Sequence, residues 1–270
     1  MAEASTPPAS GEDLLADPSL AARHLSDAVA AAGAVALAMF RTGVKSWSKA
    51  NDSPVTEADI AVDSMLREQL TALAPDYGWL SEETVDDPAR LARSRLWIVD
   101  PIDGTRAYMA GRPDWAVAAA LVEAGRPVAA ALFAPVTDEL FVAVAGAGAT
   151  RNGQPIRVSG LGQVAGARID GPAPLLDRLR FDEPVERVPR IRSLALRIAR
   201  VATGELDAAF ASPNGHDWDL AAADLLVHEA GGRLTTMDGV PLAYNAAVPR
   251  HGALVSAGAA LYPYMARAAR

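Results

Sequence analysis

A layered protein of mixed strands and helices is predicted by this sequence, and three stretches carry the prediction. Leu96-Trp97-Ile98-Val99 is an apolar run cut off by Asp100-Pro101, the pattern of a buried strand whose C-terminal end meets a surface crevice. Trp115–Glu123 and Val128–Phe133 are nearly continuous apolar runs separated by Ala-Gly-Arg-Pro, the pattern of a buried hairpin. Asp217–Ala230 reads as a helix stopped by Gly231-Gly232. Strands and helices thus alternate along the chain, as in a layered α/β or α+β protein.

In order, residues 1–18 are acidic and rich in Pro, Ala and Ser, and read as a flexible tail without the apolar core of a secretory signal. Ser19 is placed to cap a helix to about Arg41, with Leu25, Ala28, Val29, Ala32, Val35 and Met39 on one stripe and Gly43 past its end. A short extended piece over Val44–Lys49 leads toward Pro54. Thr56 caps the next helix, about 57–74, and Asp59 at its third position completes a capping box; Val62, Met65, Leu66 and Leu73 form its buried face. Trp79-Leu80 enters Ser-Glu-Glu-Thr, and a polar loop follows over about 84–95. Beyond the hairpin, Leu140–Val144 and Ile156–Val158 read as strands with Asn152-Gly153 as the turn between them. The stretch 160–190 is rich in Gly and Pro, and a boundary near it separates an N-terminal half, 19–160, from a C-terminal half, 161–270. Ser193–Thr203 reads as a helix, Leu206–Ala211 and Leu254–Ser256 as strands, and Ala257–Arg270 as a closing helix.

With 270 residues, half of them hydrophobic, the chain is long enough for a substantial core in one large domain or two joined halves. Its net charge, 25 − 33 = −8, argues against coating nucleic acid or a membrane surface. No run reaches the roughly 18 apolar residues of a membrane span. Without cysteine there is no disulfide, thiolate nucleophile or Cys-based zinc site. The four histidines, His24, His216, His228 and His251, lack zinc-site spacing, and no nucleophile elbow, phosphate loop or dinucleotide fingerprint is present. A soluble, cytoplasmic enzyme is expected.

The candidate chemistry lies in acids at the ends of elements. Asp100 and Asp103 flank one turn with the Ile102 carbonyl between them, Glu82 follows a strand, and Asp219 sits in the first turn of a helix. Oxygen ligands this close repel one another unless a divalent cation lies among them, and magnesium suits a site of few carboxylates and several waters. Taken singly, Glu82 reads equally as a solvated loop charge, Asp219 as a favourable charge at a helix N-terminus, and Asp59 as a cap. Asp100 is harder to explain structurally, because it ends an apolar strand that would otherwise bury an unpaired charge. Gly104-Thr105 offers backbone N–H groups to a phosphate, and the Thr105 hydroxyl can pass a proton to Asp59; an ordinary N-cap threonine is the alternative.

Three strings, Ser-Glu-Glu-Thr at 81–84, WIVDPIDGT at 97–105 and WDLAAADLLVHEAGG at 218–232, resemble the lithium-sensitive, magnesium-dependent inositol monophosphatase superfamily over nearly the whole chain after about residue 20. The resemblance implies a five-layer αβαβα sandwich, usually a homodimer, that hydrolyses small phosphate monoesters. It implies that Glu82, Asp100 and the Ile102 carbonyl hold one magnesium ion and that Asp100, Asp103 and Asp219 hold a second, with a third touched by Glu82 through water. Gly104 and Thr105 take the phosphate, and the Thr105–Asp59 pair orients or deprotonates the attacking water.

KANDSPVTEAD, at 49–59, is similar to the 3'(2'),5'-bisphosphate nucleotidase branch, the CysQ-type enzymes that remove the 3'-phosphate of adenosine 3',5'-bisphosphate, a by-product of sulfate assimilation. Lys49 is then placed near the metal site, with a solvated loop lysine as the alternative. Arg106-Ala107-Tyr108 replaces the Lys-Glu-Phe these enzymes often carry after Asp-Gly-Thr. Arg192-Ser193-Leu194 stands where inositol phosphatases place Gly-Ser/Thr-Ala, and Ser212 where they place an inositol-binding glutamate. Ser212 weakens the inositol reading, while Arg192 offers a fork to a second phosphate or is a plain surface arginine. The expected function is therefore a bisphosphate nucleotidase; the alternatives are an inositol-1-monophosphatase and a non-catalytic regulator that binds phosphorylated ligands.

Overall fold

The computed structural model describes residues 17–42, 45–48 and 54–268. The tail expected over 1–18 falls almost wholly outside these, as does Lys49. Helix α1, Pro18–Thr42, opens with Pro at its first position, where a missing N–H costs nothing. Its cap is Asp17 and not Ser19: Asp17 Oδ1 accepts the Ser19 N–H at 2.8 Å. A small ribbon pairs β1, Ser46–Ser48, with β2, Pro54–Thr56. The expected capping box then starts α2, Glu57–Leu73.

A seven-stranded sheet follows in the order β3 (Gly78–Ser81), β4 (Arg95–Asp103), β5 (Ala116–Glu123), β6 (Arg126–Ala134), β7 (Glu139–Val144), β8 (Gly148–Arg151) and β9 (Gln154–Pro155). Its β3–β4 pair is parallel and the rest antiparallel. The expected hairpin is β5–β6, and Asn152-Gly153 turns β8 into β9. Ile156–Val158 is not a strand. The Ile156 N–H still reaches the Ala149 carbonyl at 3.0 Å, but the Val158 N–H goes to the Ala230 carbonyl at 3.1 Å, and both side chains pack against the inner apolar cluster.

The second sheet is ordered β11 (Glu186–Arg187), β10 (Arg168–Asp170), β12 (Ala208–Ala211), β14 (Leu254–Gly258) and β13 (Gly232–Thr236). The closing helix starts late for this reason. Residues 257–258 pair with Arg233 and Gly232 of β13, so the strand runs on, and the final helix is short.

Side-chain alternation along each strand sorts the core into three clusters. Trp97, Val99, Val117, Ala119 and Leu121 face α1 and α2. Ile98, Ala118, Ala120 and Leu132 face inward, where α5 (Leu194–Ala202) and α6 (Asp217–Glu229) also meet Ala209, Ala211 and Leu254 of the second sheet. Ile169, Ala208, Phe210 and Val255 face outward onto α4 (Ala173–Leu176) and α7 (Tyr262–Arg267). Helix α3, Thr105–Met109, lies just after β4. The layers are thus helices, sheet, helices, sheet, helices: the expected five-layer αβαβα sandwich. By length and composition α1 could cross a membrane, with a mean hydropathy of 1.2 over Pro18–Phe40, but its stripe of Leu25, Val29 and Ala32 is fully buried against the first sheet.

Candidate active site

Residues three apart in a strand point to opposite faces, so Asp100 and Asp103 would part company in a regular β4. A bulge brings them together. Asp100 registers with Ala118 and Asp103 with Ala116, so β4 carries one residue more than β5 between these pairs. Ala116 and Ala118 share the inward face, and both acids therefore point there while Ile102 packs on the other side. Pro101, with no N–H to give to a ladder, sits inside this irregularity. The parallel register of Ser81 with Val99 brings Glu82 out of the sheet beside Asp100.

Asp219 arrives from the second half, at the third position of α6, with its Oδ2 accepting the His216 N–H at 2.7 Å. One carboxylate oxygen from each of Asp100, Asp103 and Asp219 lies within 4.8 Å of the others. Glu82 lines the same cleft of about 580 Å³, and its charge acts on both Asp100 and Asp219.

The electrostatics fit a cation. Both oxygens of Asp100 are buried without a hydrogen-bond partner among the described residues. Burial first, then the charges of Glu82, Asp103, Asp219 and Asp59, hold its pKa well above the usual carboxylate range. Burial and the charge of Asp103 push Asp219 up as well. Burial also lifts Asp103, but the Ser193 hydroxyl, the Ala195 and Leu194 N–H groups and the Arg197 charge pull back, leaving it at about 6. A cluster of hard oxygen donors whose joint ionisation is this costly fits a hard divalent cation such as magnesium.

Beside the acids, Thr105 Oγ1 lies 3.3 Å from Asp59 Oδ1 and 3.1 Å from the Ile102 carbonyl, both acceptors for its single proton. Asp59 is held by its other oxygen, which accepts the Thr56 N–H at 2.8 Å and hydroxyl at 2.6 Å. Gly104 turns the chain into α3 at φ 97°, and a Cβ there would stand 3.0 Å from the Asp114 carbonyl oxygen and 3.3 Å from Ser193.

The remaining expected residues divide. Arg192 lines the cleft, its N–H held by Asp114 Oδ2 at 2.8 Å. Ser212 follows β12, is exposed, and is not among the residues lining the cleft. Arg106 and Arg190 line it unforeseen. Also unforeseen is the reach of Ser193, read only as the start of a helix. Its hydroxyl and the Ala195 N–H both donate to Asp103 Oδ2, at 2.5 and 2.6 Å, so the N-terminus of α5 is docked on a site carboxylate. Only the helix was visible in the sequence, because the partner of Ser193 lies 90 residues away.

A model of the inositol monophosphatase family matches residues 18–270. An inositol-1-monophosphatase of Rhizobium meliloti is 34% identical over 194 residues, covering 68% of this chain and 73% of that protein. A histidinol-phosphatase of Mycobacterium tuberculosis is 38% identical over 205 residues, covering 72% and 78%. The crystal structure of the extragenic suppressor protein SuhB from Bartonella henselae superposes with a TM-score of 0.80 at 26% identity, over 92% of this chain and 97% of that one. The layered fold agrees with these likenesses: the chain belongs to the inositol monophosphatase family and is a phosphatase of that family.

Proposed function

We propose that this phosphatase is magnesium-dependent and hydrolyses a small phosphate monoester bearing a second anionic group, adenosine 3',5'-bisphosphate being the substrate. The observation that carries the magnesium reading is Asp100, a buried carboxylate with neither oxygen hydrogen-bonded, among two further acids. Glu82, Asp100, the Ile102 carbonyl, Asp103 and Asp219 would hold two ions, with a third reached from Glu82 through water; when bound, magnesium supplies positive charge that activates water and stabilises the leaving oxygen. The chain's own groups do the rest. Thr105 Oγ1, in reach of Asp59, orients the attacking water and hands its proton to that carboxylate. Gly104 and Thr105 line the cleft where the phosphate rests.

The second anionic group follows from Arg106, Arg190 and Arg192, three arginines that line the same cleft as the acids. A specific observation favours inositol-1-phosphate instead: the Rhizobium meliloti relative carries that activity in its name. A regulator without catalysis is disfavoured, since all the side chains proposed for chemistry are present. A homodimer is part of the same reading, and light scattering checks it.

The deciding experiment measures phosphate release with magnesium from adenosine 3',5'-bisphosphate, inositol-1-phosphate and histidinol phosphate. The bisphosphate should give the highest kcat/KM. Arg190→Ala and Arg192→Ala should each raise its KM about tenfold, the loss of one charge-assisted pair, and change that of a simple monoester little. Preference for inositol phosphate would sink the substrate assignment, and nucleotide binding without phosphate release would establish the regulator.

A further inference from the structure

The loop between β3 and β4, which starts at Glu82, holds a costly residue. Its surface is exposed, with Val85 92% accessible, yet Arg90 in the 3-10 turn Pro88–Ala92 is 2% accessible. Arginine is almost never buried unless paired, and it cannot shed its charge. Each guanidinium nitrogen is engaged. Nε and Nη2 form a fork on Asp86 at 2.6 and 2.9 Å, Nη1 donates to Asn245 Oδ1 at 2.7 Å, and Nη2 to the Ala246 carbonyl at 3.1 Å. Asn245 returns its side-chain amide to the Arg90 carbonyl at 3.3 Å.

The far side of segment 245–251 is fastened to the start of α6. The Asn245 N–H donates to Asp217 Oδ2 at 2.8 Å, His251 Nε2 meets Asp217 Oδ1 at 2.7 Å, and the Asp217 N–H donates to the Pro249 carbonyl at 3.1 Å. Asp217 is fully buried and stands two residues before Asp219. A continuous run of hydrogen bonds thus joins the loop that follows Glu82 to the helix of Asp219, the two acids that lie outside β4. Asp86 is exposed, and an ion pair with a solvated partner adds little net stability, so burying Arg90 serves geometry.

We propose that Arg90 is a positioning residue whose guanidinium sets the placement of Glu82 against Asp219, and through it the metal affinity of the cleft. This rests on the cleft being a metal site. The test measures Mn²⁺ binding by the electron paramagnetic resonance of the free ion, for the full chain and for two variants, with thermal melts alongside. Arg90→Lys keeps the charge and loses the fork. Asn245→Gly removes the acceptor and tolerates the φ of 66° found there.

Both should bind Mn²⁺ about 10–100-fold more weakly, the usual effect of disturbing groups behind metal ligands. The magnesium concentration for half-maximal phosphate release should rise by the same factor, with kcat at saturating magnesium near that of the unaltered chain. A variant that melts lower but binds Mn²⁺ as before would show a merely structural arginine and overturn the proposal. Should Arg90→Lys fail to fold, Asn245→Gly carries the test alone. An unaltered chain that neither binds Mn²⁺ nor releases phosphate would overturn the metal site beneath it as well; phosphate release with unchanged affinities would overturn only the role of Arg90.

Discussion

On Asp103 two demands meet in one carboxylate. Oδ2 holds the N-terminus of α5 through Ser193 and Ala195, and the same residue lines the cleft. Asp103→Asn keeps an oxygen for the helix and loses the charge. It should lower kcat/KM about 10³-fold with little change in melting temperature, whereas Asp103→Ala should also lose about 1 kcal/mol of capping. Phosphate release and a thermal melt on both variants separate the two roles. Thr105→Ala should cost about 10²-fold or more in kcat, and Thr105→Ser should restore most of it, since the hydroxyl is the active part.

The buried acids also set a pH dependence. Because Asp103 titrates near 6, and Asp100 and Asp219 are pushed well up, the folded chain keeps protons that the unfolded chain has released. Without metal, stability should therefore fall as pH rises from the ordinary carboxylate range toward about 6 and above. Magnesium competes with those protons, so its stabilising effect should be large at pH 8 and small at about pH 5. Melts with magnesium and with chelator across this range check the sign; equal curves would count against the site.

At the scale of elements, charged groups fix how α5 docks on the first sheet. Glu139 of β7 pairs with Arg200 of α5 and, at 3.1 Å, with Arg151 of β8. Burial works to raise its pKa, but hydrogen bonds from Arg200 and Thr137 and the charges of Arg200 and Arg151 win and bring it down to about 2. A lowered carboxylate contributes stability that is present above its unfolded pKa of 4.5 and lost as pH falls toward about 2. Glu139→Gln should remove that acid sensitivity and cost on the order of 1–2 kcal/mol at neutral pH, allowing for solvent screening. Denaturant titrations at pH 7 and 3 measure both. Gly104→Ala, forced to a left-handed φ against the Asp114 carbonyl oxygen, should destabilise by more than about 1 kcal/mol and displace Thr105 with it.

Taken as a whole, the molecule stands on its middle layer. Helices α5 and α6 share one apolar cluster with the inward faces of both sheets, so segments on either side of the boundary near 160 bury each other's surface. Denaturant unfolding followed by tryptophan fluorescence and by circular dichroism should give one coincident transition. Two separate transitions would show instead that the halves 19–160 and 161–270 are independent domains.

Short-range chemistry wrote much of this into the chain. The capping box at Thr56 and Asp59, the apolar runs of β4, β5 and β6, the turn at Asn152-Gly153 and the acids at element ends are legible because each depends on neighbours a few residues away. The strands over 168–187 were not, being two and three residues long in a stretch of Gly and Pro, nor was the early end of the sheet at Pro155. Tertiary structure alone decided that a bulge turns Asp103 to the side of Asp100, that Ser193 reaches this aspartate, that Arg190 lines the cleft and Ser212 does not, and that Arg90 is buried. Periodicity records which face of an element is apolar; which polar groups then meet is set by packing between segments far apart in the chain, where no local pattern reaches.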